Sequence, residues 1–276
     1  MSANAGEGVF RPDLLAGRVA IVTGGGTGIG AGITRALARH GADIVLASRR
    51  RAHLEPTALE VQALGRKTLI CEMDVRDRQA CERAVAEALD RFGRIDLLVN
   101  NAAGNFLVRA AELSEKGWRA VIDIVLTGTF NMSQAAYPAL RDAGGGSIVN
   151  ITTTYAGSGA PFMAHSGAAK AGVLNLTRTL AVEWGRDRIR VNAVAPGLVE
   201  GTEGARRLAE SIGIVDAYRR QVPLGRLVTT DDVAATVLFL ASDAASMITG
   251  AEVTVDGGES LGGGFKGAAD ALDRIP

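Results

Sequence analysis

Short, unbroken apolar runs recur along this chain, and between them lie longer stretches in which apolar residues return every third or fourth position. The first run, Val19-Ala20-Ile21-Val22, has the character of a strand buried on both faces, and residues 31–40 after it read as a helix ended by Gly41. The couplet repeats. Strands are predicted at 43–48, 67–73 and 95–99, separated by helices at 52–64, closed by Gly65, and 76–92, ended by Gly93. A long helical stretch from Ser114 to about residue 140 carries Trp118, Val121, Ile122, Val125 and Leu126 at helical spacing, a face for the core or for a second subunit. Further strands follow at 147–152, 190–195 and 252–255, with helices at about 162–184 and at 233–241, the latter capped by Thr229-Thr230-Asp231-Asp232. Residues 203–220 are polar and read as a lid-like helical insert. Such alternation predicts an α/β fold: a doubly wound parallel sheet of about seven strands with helices on both faces, joined by right-handed crossovers.

Thr23-Gly24-Gly25-Gly26-Thr27-Gly28-Ile29-Gly30 lies between the first strand and the first helix. A phosphate needs unobstructed backbone N–H groups and the positive end of a helix dipole, and glycines let the main chain approach closely enough to give both. Strand, glycine turn and helix in that order predict a Rossmann-type dinucleotide site. The second strand ends in Ser48-Arg49-Arg50-Arg51. An acid there would take the adenosine 2′-hydroxyl and arginine would accept a 2′-phosphate; no acid is present, so NADP(H) is expected rather than NAD. Asp74, ahead of Val75, either receives the adenine amino group or caps the helix at 76–92. Asn100-Asn101-Ala102-Ala103-Gly104-Asn105 falls at the carboxyl end of the fourth strand, where ligands gather in an open parallel sheet.

With 47% hydrophobic and 22% charged residues over 276 positions, the chain can bury one full core. It is read as a single domain over 1–276, with an N-terminal arm at 1–14, a substrate-loop insert at about 200–222 and a C-terminal arm at 259–276. Basic and acidic residues both total 30, so the formal charge is zero and nothing suggests a nucleic acid partner. Cys71 and Cys81 lack metal-ligand spacing and offer no disulfide framework. His40, His53 and His165 are scattered, each expected at a helix end or on the surface, so no metal is expected. Residues 1–12 lack the apolar core of a signal peptide, no run reaches the length of a membrane span, and Arg274-Ile275-Pro276 is not a peroxisomal address. A cytoplasmic protein, away from membranes, is expected.

The 23–30 segment, Asn100-Asn101-Ala102, Lys170 and Pro196-Gly197 together resemble the short-chain dehydrogenase/reductase family over residues 15–258. The resemblance implies that Gly24, Thr27, Gly28, Ile29 and Gly30 cradle the pyrophosphate. Asn101 then lies near the adenosine side, Lys170 holds the nicotinamide ribose, and Pro196, Gly197 and Leu198 meet the nicotinamide carboxamide, while Ser48, Arg49, Arg50, Asp74, Val75 and Ala102 complete the expected cofactor contacts. Most members carry Tyr-x-x-x-Lys with a serine thirteen residues before the tyrosine and an asparagine in an Asn-Leu-x-Gly segment. Here Ser166 stands at the tyrosine position, Thr153 at the serine position and Val125 at the asparagine position. A simple carbonyl reductase would lack its usual acid.

Asn100 to Phe106, Thr152-Thr153-Thr154-Tyr155-Ala156, Asp123-Ile124-Val125-Leu126 and Ser166 before Lys170 are similar to the 2,4-dienoyl-CoA reductases of that family. This implies Tyr155, Asn105, Lys170 and Ser166 as the working residues, an acyl-CoA substrate and a homotetramer. Hydride addition to a conjugated thioester sends electrons onto the thioester oxygen, and a phenol O–H and a carboxamide N–H are suitable donors for that oxyanion. Arg206, Arg207, Arg219 and Arg220 are candidates to attract coenzyme A phosphates. Two other readings remain open from the residues: a reductase of an isolated ketone, hydroxyl or enoyl bond, and a silent NADP-binding sensor.

Overall fold

The computed structural model describes residues 9–208 and 215–261. Seven parallel strands, β1 (Val19–Thr23), β2 (Asp43–Ser48), β3 (Thr68–Glu72), β4 (Leu97–Asn100), β5 (Gly146–Ile151), β6 (Ile189–Pro196) and β7 (Glu252–Val255), form one sheet in the order β3-β2-β1-β4-β5-β6-β7. Strand order reverses between β1 and β4, which opens a crevice at their carboxyl ends. The doubly wound parallel sheet expected from the apolar runs is therefore present.

Alternate residues of each strand enter different cores. Ala20, Val22, Ile44, Leu46 and Val99 pack beneath α1 (Gly28–Arg39), α2 (Arg51–Ala63) and α9 (Thr230–Ala241). Ile21, Val45, Leu98 and Ile148 pack beneath α3 (Arg78–Phe92), α5 (Gly128–Asp142) and α6 (Ala164–Trp184) on the other face. Burying an apolar side chain of this size contributes about 1.5–3 kcal/mol, so both faces hold the strand ends rigidly where the crevice forms. Between the sheet and the second layer runs a buried polar chain. Asn100 Nδ2 donates to Ser133 Oγ (3.0 Å) and Asn150 Oδ1 (2.8 Å), and Asn150 Nδ2 donates to Thr177 Oγ1 (2.9 Å).

The predicted helix from Ser114 proves to be two α-helices in line. Ser114 caps α4 (Glu115–Ile122), accepting the Gly117 N–H at 3.1 Å; a π-helical turn spans Asp123–Thr127, and α5 follows. Of its apolar positions Val121 and Val125 are buried, whereas Trp118 is 40% exposed. The insert contains two short helices, α7 (Glu203–Leu208) and α8 (Val215–Gln221); residues 209–214 lie outside the described part. So do 1–8 of the N-terminal arm and 262–276 of the C-terminal arm. No described helix is long and apolar enough to cross a membrane.

Two expectations are corrected. Asp74 does not cap α3: that helix begins at Arg78, and Asp77 is its N-cap, accepting the Ala80 N–H at 3.2 Å. Both aspartates satisfy the local rule, and the turn at Asp74–Asp77, closed by a 3.0 Å backbone bond, decides between them. His165 lies near a helix start, as expected, but is fully buried rather than on the surface.

Candidate active site

The crevice floor is the glycine turn between β1 and α1. Gly28 opens the helix at φ +50, a left-handed conformation that glycine adopts without strain, and a Cβ there would meet nothing nearer than Thr202 at 3.6 Å. Close approach governs the rest of the turn, since a Cβ on Gly30 would lie 2.1 Å from the Gly24 oxygen and one on Gly26 only 2.0 Å from the His53 oxygen. Thr27, the N-cap of α1, makes no side-chain capping bond, and the first turn holds no acid. Its leading N–H groups and positive dipole end are thus left for an anion.

The turn is braced from β4. Thr23 Oγ1 accepts the N–H groups of Asn101 and Ala102, both at 3.0 Å, while Asn101 Nδ2 donates to the carbonyls of Thr23 (3.0 Å) and Gly24 (3.3 Å). Asn101 therefore shapes the cradle with its amide already engaged. At the end of β2, Arg49 and Arg50 are exposed and form no ion pair among the described residues, and Ser48 Oγ reaches only the Arg50 carbonyl at 3.4 Å. α2 begins beside them with no side-chain cap and no acid in its first turn. Asp74 is held by Arg76, whose guanidinium keeps the carboxylate below its ordinary range, and Val75 is buried against Gly128. These groups suit a phosphate-bearing ligand: an uncapped helix start at α1, and at the end of β2 two exposed arginines without an ion pair among the described residues.

On the other side of the crevice, β5 runs into a turn at Thr154–Ala156 that carries Tyr155. The phenol lies 3.2 Å from Ser166 Oγ, on the first turn of α6. One turn further, Lys170 is buried with its Nζ donating to the Ile151 carbonyl, and burial pushes its pKa down to about 8. Asn105 enters from the loop after β4, its Nδ2 facing the Met163 sulfur at 3.1 Å. Sulfur is a weak acceptor, so this amide is a donor held in reserve. Tyr155, Ser166 and Lys170 are brought together, and Asn105 is tied to the same segment through Met163.

Pro196 closes β6, and Gly197 donates its N–H to the Val255 carbonyl at 3.0 Å. Beyond it, Thr202 stands over Gly28 and caps α7 through the Ala205 N–H at 3.1 Å, bringing the insert above the cradle. A cavity of about 460 Å³ lies under the insert, walled by Leu198, Ala205, Val215 and Leu227, with Glu200 and Arg219 among its polar lining. Arg206 and Arg207 pair with Glu203, and Arg219 pairs with Asp216.

Tyr218, on α8, was missed by sequence reasoning. Burial first, then Glu259 and Tyr155, raise its pKa, so it shares the surroundings of the Tyr155 phenol. The available signal was a tyrosine, one of three in the chain, on an otherwise polar insert. Thr202, within the expected insert at about 200–222, was also missed as a contact above Gly28.

A family model described as "Enoyl-(Acyl carrier protein) reductase" matches residues 24–260. The zebrafish "Peroxisomal 2,4-dienoyl-CoA reductase [(3E)-enoyl-CoA-producing]" is 45% identical over 254 residues, covering 92% of this chain and 85% of the relative. A Bacillus subtilis protein named "Probable 2,4-dienoyl-CoA reductase [(2E)-enoyl-CoA-producing]" is 46% identical over 246 residues, covering 88% and 97%. Among solved structures, carveol dehydrogenase from Mycobacterium avium in complex with NAD superposes with a TM-score of 0.86 at 32% identity, over 91% of this chain and 100% of that one.

Proposed function

We propose, because this chain belongs to the short-chain dehydrogenase/reductase family in its 2,4-dienoyl-CoA reductase branch, that it reduces 2,4-dienoyl-CoA thioesters to enoyl-CoA with NADPH, serving the β-oxidation of unsaturated fatty acyl chains. The observation that carries this reading is the displaced phenol: Tyr155 reaches within 3.2 Å of Ser166, the residue at the position where the family majority has its tyrosine.

The bound cofactor supplies a hydride. In this reading the open start of α1 binds the pyrophosphate, and Ser48, Arg49 and Arg50 take the 2′-phosphate. Lys170 holds the ribose hydroxyls and places positive charge close to the reacting carbons. Hydride addition at the distal end of the diene moves electrons onto the thioester oxygen. Tyr155 O–H and Asn105 Nδ2–H donate to that oxygen, and Asn105 gives up only a thioether to do so. Ser166 orients the Tyr155 hydroxyl. Protonation then occurs at carbon, with water as the source.

Oxidation of NADPH by a medium-chain 2,4-dienoyl-CoA, followed by absorbance, tests the reaction. Tyr155→Phe is expected to lower kcat by a few hundredfold, roughly 3–4 kcal/mol of barrier, with NADPH binding retained. A Phe variant as fast as the parent would remove the phenol from its role. Failure across all chain lengths, with NADPH bound, would sink the substrate assignment.

Lys170 supplies a second test through pH. Its charge is needed in the site, so kcat/KM should fall as pH rises through about 8. Its effect on stability runs the opposite way, because the folded state holds this proton less tightly than the unfolded chain. Stability should therefore rise with pH between about 8 and the ordinary lysine value of 10.5. Lys170→Met should lose activity and abolish this rise of stability between about pH 8 and 10, read by denaturant unfolding at the two pH values.

We also read the protein as a cytoplasmic homotetramer. Val182 and Met247 leave apolar surface for subunit contact, and both cysteines are free and buried, in keeping with a reducing compartment. Light-scattering mass tests the assembly: a monomer at micromolar concentration would refute it.

A further inference from the structure

His165 is the second residue of α6 and is fully buried. The N-cap of α6, Met163, makes no side-chain capping bond, yet the first turn is not left open: His165 Nδ1 accepts the Ser166 N–H at 2.8 Å. This bond requires an unprotonated Nδ1, which puts the hydrogen of a neutral ring on Nε2, whereas the Met163 backbone, which raises the imidazole pKa, favours a proton on the ring nitrogen that faces it. Among the described residues that Nε2 is buried without a hydrogen-bond partner. Meanwhile the ring stands at 90° to Phe106, centroids 4.4 Å apart.

The neighbours give these contacts their meaning. Phe106 follows Asn105 directly, and its N–H donates to Asn105 Oδ1 at 2.8 Å. The Val108 N–H donates to the Phe162 carbonyl at 3.2 Å, so the loop after β4 is stitched to the chain entering α6. Ser166, whose N–H is bound by the imidazole, carries the hydroxyl that meets Tyr155. One buried ring thus touches the segment of each oxyanion donor, and touches neither donor itself.

We propose that His165 is a positioning residue for the reduction, its neutral imidazole fixing the Tyr155–Ser166 pair and the Asn105 loop relative to each other. This rests on the function proposed above. The ring gains an unpaired polar edge in the core, a burial cost that simple packing by Phe or Leu would avoid.

Protonation would convert Nδ1 from acceptor to donor and break its bond to Ser166. Burial lowers the imidazole pKa and the Met163 backbone raises it, with no neighbouring charge contributing. Titratable groups on the elements packed against α6 are Tyr155 on the 154–156 turn, Asp123 on the π-helical turn, exposed Glu115, Lys116 and Arg119 on α4, Arg190 on β6, and Arg186 and Asp187 in the 185–187 turn, with Lys170, Arg178 and Glu183 on α6 itself. The loop at Asn105–Phe106 brings none.

Nitrogen NMR of the histidine-labelled protein with NADP⁺ tests the tautomer without turnover: a neutral ring protonated on Nε2 at neutral pH is expected, and a ring protonated on Nδ1 overturns the proposal. His165→Asn keeps an acceptor near Nδ1, whereas His165→Phe keeps the packing and removes it. The parent should lose rate at acid pH as His165 takes up a proton, the Asn variant should hold kcat within about threefold and lack that fall, and the Phe variant should drop kcat about tenfold at unchanged NADPH affinity and melting temperature. Equal kcat in parent and Phe variant, or losses that follow melting temperature in both variants, would show a merely structural ring. If the parent protein turns over no dienoyl-CoA, the proposed function fails, while the NMR tautomer still decides the role of the ring.

Discussion

α9 and α1 begin in opposite ways. At α9, Thr229 accepts the Asp232 N–H and Asp232 in turn accepts the Thr229 N–H, a complete capping box. At α1 the corresponding threonine, Thr27, makes no side-chain capping bond, and glycines stand where an acid would help. A helix that has only to be stable satisfies its own N–H groups; one that receives an anion leaves them free. α2 resembles α1 in this respect, with Arg50 at its N-cap, although its Arg51 N–H is served by Glu72 at 3.2 Å. Two incomplete helix starts on one crevice are a better mark of a dinucleotide site than the glycines alone.

The comparison breaks most severely at Gly30. Gly30→Ala sets a Cβ against the Gly24 carbonyl, and the turn must shift; NADPH affinity should fall more than about a hundredfold, with a stability loss of about 1–3 kcal/mol, by cofactor fluorescence and thermal unfolding. Next in size, replacing Arg49 and Arg50 together by Ala should weaken NADPH about tenfold to a hundredfold while leaving NADH nearly unchanged, since charged hydrogen bonds contribute about 1.5–3 kcal/mol. Equal loss for both cofactors would refute the 2′-phosphate assignment. The smallest effect is expected at the complete cap, where Thr229→Ala should cost about 1 kcal/mol of stability without altering cofactor affinity.

The strands were legible because burial on both faces demands unbroken apolar runs, as in the fully buried Val19–Thr23. The glycine turn was legible for a related reason: its steric demands fall on adjacent residues. The start of α3 was not, because Asp74 and Asp77 are equally good local caps and a turn between them chooses. Nor was the burial of His165, whose apolar cover includes Phe106 from another loop. Tyr155, Ser166 and Lys170 could be anticipated as a group from resemblance, but the thioether partner of Asn105 depends on how the loop after β4 meets α6. Local chemistry announces elements; contacts between distant segments settle which atoms face each other.

The π-helical turn at Asp123–Thr127 divides a continuous rod into two angular phases. One residue more or less in a helix rotates everything beyond it by about 100°. Upstream of this offset, α4 keeps Gly117 beneath Phe106; just beyond it, Gly128 lies where a Cβ would come within 2.5 Å of Val75. Leu126, inside the turn, presses on Gly172 of α6 at what would be 2.8 Å from a Cβ. The rod therefore works as a keyed shaft, aligned at one end to the loop after β4 at Phe106 and at the other to the segment after β3 at Val75. Deleting a single residue there would leave both helices intact and put the two halves of the site out of step.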